Sequence, residues 1–217
     1  MRAVLITATD TGVGKTFISY NLAYALKEMG VRVGYYKPIE TDVREVPADG
    51  SLVCSVTGQP VEEAVFFTYK LPLSPYAGIL EEGKDFDLSE LKERFWELQK
   101  RYEFLIVEGA GGVAVPIKKD YDYADLARDL NLPILLVARA VLGTLNHTYL
   151  SYYYIRSKGI DLVGIVMNGF EGKDISEKTN PLIIKERTGI EPFCIPRIEG
   201  LLLPPDVRKS LASLVGF

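Results

Sequence analysis

Residues 8–16 read Ala-Thr-Asp-Thr-Gly-Val-Gly-Lys-Thr, with an apolar run before them and a helical pattern behind. Gly12 and Gly14 permit a tight turn. The backbone N–H groups of Gly12, Val13, Gly14, Lys15, Thr16 and Phe17 can then converge on anionic oxygens at a helix start. In this pattern Lys15 reaches β- and γ-phosphates and the Thr16 hydroxyl ligates Mg²⁺. The common spacing G-x-x-x-x-G-K-[ST] wants glycine at position 9, where this chain has Thr9.

Two further segments suit the same chemistry. Glu108 follows an apolar run and precedes Gly109, Ala110, Gly111 and Gly112, so backbone can pass close to a ligand there. A carboxylate at that place is a hard oxygen ligand for Mg²⁺. Lys37 follows the run 31–36 and precedes Pro38, which stiffens the turn. A lysine there can project over phosphates or sit on the surface. Asp49, on spacing alone, reads as a loop or helix-capping aspartate.

Alternating elements must position these groups. Residues 3–7, 31–36, 104–107, 134–138 and 162–167 read as buried strands. Residues 16–29, 88–100, 144–157 and 181–188 read as helices. Strands separated by helices predict an α/β fold, a mostly parallel sheet with helices on both faces. Ligands bind beyond the carboxyl ends of such strands. The phosphate loop, Lys37, Glu108 and Asn168 each follow one. Stretches 39–50 and 70–87 read as loops with partial structure, and 1–217 as a single domain.

The chain has 217 residues and a net charge of −4. Nothing in that balance favours nucleic acid or membrane as partner. No apolar run is long enough to span a bilayer. The two cysteines, Cys54 and Cys194, form no CxxC pair and read as free thiols. The expectation is a cytoplasmic protein.

Taken in order, the segments 9–16, 37–41, 73–77, 107–112 with Val115-Pro116, 143–148 and Asn168 resemble the dethiobiotin synthetase family, a branch of the P-loop NTPases. Ala8 stands where that family commonly has glycine, and Gly12 where some members carry glutamate. The resemblance implies that 7,8-diaminononanoate, CO₂ and ATP give dethiobiotin, ADP and phosphate. Lys15 and Lys37, with Thr11, are implied as catalytic. Thr16, Asp49 and Glu108 are implied as Mg²⁺ ligands, with Asp42 the alternative to Asp49. Thr41 is implied at the substrate. Asn168, Pro196, Arg197 and Ile198 are implied around the nucleotide base. Gly143, Thr144, Leu145 and Asn146 open a helix whose free N–H groups suit a carboxylate. The resemblance implies that they come from the partner subunit of a homodimer. The alternative is a partitioning-type ATPase switch, but such loops carry a signature lysine where this chain has Asp10.

Overall fold

The computed structural model describes residues 2–217. From the start, β1 (Ala3–Ala8) feeds α1 (Lys15–Glu28) and β2 (Val33–Glu40). Then come α2 (Ala48–Thr57), the one-turn α3 (Val61–Ala64), β3 (Val65–Thr68), α4 (Pro75–Glu82) and α5 (Leu88–Arg101). β4 (Phe104–Gly112) leads into a small hairpin, β5 (Pro116–Lys118) with β6 (Tyr121–Asp122), and then α6 (Tyr123–Asp129) and β7 (Ile134–Arg139). α7 (Thr144–Ser157), β8 (Leu162–Phe170), α8 (Ile175–Thr188), β9 (Phe193–Pro196) and α9 (Pro205–Ser213) complete the order. No described helix is long and apolar enough to cross a membrane.

Seven strands form one sheet in the order β3-β2-β4-β1-β7-β8-β9, with every neighbouring pair parallel. Strand side chains alternate between faces. In β1, Val4, Ile6 and Ala8 join α1, α2 and α9 in one layer. Ala3 and Leu5 join α5, α6 and α7 in the other. Both faces are therefore covered, which is why β1, β2 and the first part of β4 are buried without alternation.

The strands run further than their apolar patterns suggest. Lys37 lies inside β2 rather than after it, Glu108 inside β4 and Asn168 inside β8. β2 pairs with β4 only as far as Tyr36↔Val107, and from Lys37 onward it pairs with β3. Past that point β2 and β4 part. Pro38 is tolerated there because its missing N–H would face the side where pairing has ended. Lys37 and Glu108 are the first residues beyond the last registered pair, and they face each other across the opening. Helix α8 begins at Ile175, capped by Asp174, so Pro181 lies inside it rather than at its start.

Candidate active site

Gly14 sets the geometry of the phosphate loop. Its φ is 107°, a left-handed value that favours glycine, and an added Cβ would lie 2.3 Å from the Asn168 amide nitrogen. That turn starts α1 with no side-chain cap, leaving its first N–H groups free for an anion. Two long-range contacts hold the loop. Asn168 Nδ2 donates to the Val13 carbonyl at 3.0 Å, and Arg139 Nη2 donates to the Thr11 carbonyl at 2.7 Å.

A cavity of about 320 Å³ opens above it, lined by Thr11, Gly12, Gly14, Lys15, Thr16, Lys37, Glu40, Thr41, Asp49, Ala110 and Gly111. Glu108, 0 % exposed, lies at its base. One Glu108 oxygen accepts from Thr16 Oγ1 at 2.9 Å and Lys37 Nζ at 2.7 Å. The other accepts from Ser19 Oγ at 2.6 Å and the Tyr35 hydroxyl at 3.0 Å. Lys37 Nζ also donates to Asp49 Oδ2 at 2.5 Å. Asp42, by contrast, is exposed and faces Arg44. The carboxylate that meets Glu108 across Lys37 is therefore Asp49, in the first turn of α2 rather than in a loop.

The two lysines are tuned in opposite directions. Burial lowers the Lys37 affinity for its proton, but Glu108 and Asp49 together outweigh burial, so its pKa is raised above the ordinary lysine value. Burial dominates at Lys15 and brings it down to about 8, with Glu108 opposing and Lys37 adding to the effect. Among the described residues Lys15 forms no ion pair with a carboxylate, so an arriving phosphate would supply its counter-charge. Asp49 is also partly buried, yet Lys37 holds its carboxyl below the usual range.

A second cleft of about 440 Å³ adjoins the first. Gly12, Val13, Phe17, Asn168, Pro196, Arg197 and Ile198 line it, with Arg139. It suits the sugar and base end of a nucleotide whose phosphates lie on the loop. Arg197 points outward and pairs with Glu171 at 2.6 Å. Gly109 is buried against the Tyr123 ring and lines neither cavity. Gly143, Thr144, Leu145 and Asn146 also line neither. Thr144 is buried with its hydroxyl toward Thr148, and Asn146 is exposed. Sequence reasoning missed Ser19, Tyr35, Glu40 and Arg139. Of these Arg139 and Glu40, each the last residue of a strand, carried a readable signal.

Residues 2–202 match the AAA domain family model. The fold is that of a ParA family ATPase from Chlorobium tepidum, with a TM-score of 0.58 and 14 % identity over 98 % of this chain and 89 % of that one. The MinD cell division protein of Aquifex aeolicus is equally close, with a TM-score of 0.58 and 15 % identity over 99 % and 89 %. Fold and loop together define a P-loop nucleotide-binding domain. Sequence similarity is more specific. The chain is 59 % identical to the ATP-dependent dethiobiotin synthetase BioD of Aquifex aeolicus, over 98 % of this chain and 96 % of that one. It is 46 % identical to its counterpart in Hydrogenobaculum over 84 % of each, and 40 % identical to that of Bacillus subtilis over 88 % and 84 %. The chain belongs to the dethiobiotin synthetase family.

Proposed function

We propose that this protein closes the ureido ring of dethiobiotin from 7,8-diaminononanoate, CO₂ and ATP. The observation that carries the reading is Lys37 Nζ held between Glu108 and Asp49, on the floor of a cavity that also receives Lys15. A cyclo-ligase needs two cations where phosphoryl passes between two anions, and a lysine on either side of the γ-phosphate meets that need.

One amine of the substrate adds to CO₂ and forms a carbamate, losing a proton. The carbamate oxygen takes the γ-phosphoryl group of ATP and ADP leaves. The second amine attacks the activated carbonyl, phosphate departs and the cyclic urea closes. Lys15 and the free N–H groups of α1 hold the phosphates in line. Lys37 would serve the transferring oxygens from the same cavity, and Thr11 and Thr41 offer hydroxyls to the carbamate and the diamine from the cavity wall. Thr16 bonds Glu108, and Asp49 meets Glu108 across the Lys37 ammonium, so three hard oxygens lie together in a donor set that fits Mg²⁺. Bound there, the ion would neutralise charge on the polyphosphate.

The tail carboxylate of the substrate requires a separate anion site. The start of α7 can provide it from a second copy of the chain, making the enzyme a homodimer with shared sites. Exposed apolar side chains surround that start and the outer face of α7. Leu142 is 81 % exposed, and Val141, Leu150 and Tyr153 are exposed beside it. Such a patch suits burial against another subunit. The protein is expected to sediment at twice its 24.2 kDa chain mass. The Leu142→Asp, Leu150→Asp double variant is expected to sediment as a monomer that binds ATP without turnover. A wild-type monomer with full activity would contradict the shared site.

The test of the reaction is incubation with ¹³C-bicarbonate, ATP, Mg²⁺ and the diamine. A product with the mass of dethiobiotin carrying the label supports the reading, and unchanged diamine overturns it.

A further inference from the structure

Asp49 is held at two points by one strand. Its side chain meets Lys37 of β2, and its backbone N–H donates to Glu40 Oε1, three residues along the same strand, at 2.9 Å. The other Glu40 oxygen accepts from the next N–H, that of Gly50, at 3.0 Å. Those two groups belong to the first turn of α2, whose cap residue Pro47 has no side chain able to bond them. A helix start leaves its first N–H groups unpaired unless something outside the helix receives them. Here a buried carboxylate at the end of the preceding strand does so, and its charge also opposes the positive end of the helix. Glu40 is 3 % exposed, so it is no incidental surface contact.

Gly50 shows how closely the two elements are docked. A Cβ there would lie 2.3 Å from Val65 Cγ2 and 3.4 Å from Glu40 Oε2. Only a glycine lets the α2 start come down onto β2 and β3. The helix is thereby fixed by its backbone, and Asp49 is aimed inward from its first turn.

We propose that Glu40 is a positioning residue for the metal site: by capping α2 from β2 it fixes the direction in which Asp49 presents its carboxylate beside Thr16 and Glu108. The inference rests on the reading of Asp49 as an ion ligand. It assigns Glu40 no contact with substrate or ion.

The test uses the full chain, with Glu40→Ala, Glu40→Gln and Asp49→Asn compared to wild type. Amide hydrogen exchange in the metal-free protein reads the cap directly. Electron paramagnetic resonance of Mn²⁺ with a non-hydrolysable ATP analogue reads the ion. In E40A the amides of Asp49 and Gly50 should lose protection while those of the phosphate loop keep theirs. Mn²⁺ binding in the ternary complex should weaken about tenfold or more, the scale expected when a partner that orients a ligand is lost. E40Q keeps one acceptor oxygen and should fall between, which also covers the case of an E40A that fails to fold. Loss of protection in E40A and E40Q with Mn²⁺ binding unchanged would overturn the inference, as would unchanged protection. D49N separates the two ideas. Weakened Mn²⁺ binding in D49N alone leaves Asp49 as ligand and removes Glu40. Unaltered binding in D49N removes Asp49 as ligand, and the inference with it.

Discussion

Replacing Glu108 with alanine is expected to destabilise the protein by about 3–5 kcal/mol and to abolish turnover. Glu108 is fully buried and accepts from four side chains: Thr16, Ser19, Tyr35 and Lys37. Its loss leaves the Lys37 ammonium with one partner, the half-exposed Asp49. It also orphans hydroxyls, of which those of Ser19 and Tyr35 are buried, and each unsatisfied group costs about 1–3 kcal/mol. These terms overlap because the freed groups will regroup, so they do not add. The uncompensated buried charge sets the scale. Urea denaturation checks the expectation as a fall in midpoint at unchanged slope. An unfolding free energy within about 1 kcal/mol of wild type would mean that Lys37 finds another partner or leaves the interior.

Lys37→Ala should separate folding from chemistry. Glu108 retains three hydroxyl donors in this variant, and Asp49, with 38 % of its side chain exposed, can turn to water. Stability should therefore fall less than in the Glu108 variant, while the rate should fall about 10³-fold, the scale for removing one preorganised charge at a transition state. Arginine should not rescue it, since the site is closed around a single ammonium and a guanidinium needs a planar fork of partners. Steady-state kinetics beside titration with a fluorescent ATP analogue checks both parts. The expected pattern is near-normal nucleotide binding with turnover lost. Normal turnover would take Lys37 out of the reaction.

The parts of the site legible in the sequence are those built from consecutive residues. The loop from Gly12 to Thr16 carries its own conformational signal in glycine, lysine and threonine; the helix start after Gly143 was readable for the same reason, as a helix start and not as a part of either cavity. Groups assembled across strands were less legible. Lys37 read as a residue after a strand because the apolar run stops at Tyr36. Its strand continues because β3 pairs with it on one side. β3 itself escaped notice, being four residues long and joined to α3 without a loop. Asp49 read as a loop or helix-capping aspartate, whereas α2 opens after Pro47 without a serine, threonine or aspartate at the cap and Asp49 lies in its first turn. Its cap is Glu40, nine residues earlier, and no local motif announces such a pair. Ser19 and Tyr35 looked like ordinary interior positions of a helix and a strand. Their hydroxyls matter only because Glu108, far away in sequence, is brought between them. The single helix predicted from Pro181 began a turn and a half too late. Proline suits a first turn, and that preference was overridden here by the Asp174 cap.

The measurement closest to the central claim is ADP release by the purified protein with ATP, Mg²⁺ and bicarbonate, in the presence and absence of 7,8-diaminononanoate. The account predicts release that depends on the diamine and stays near background without it, because phosphoryl transfer needs the carbamate as acceptor. ADP release indifferent to the diamine would contradict it and would leave a P-loop ATPase whose output is something other than ring closure.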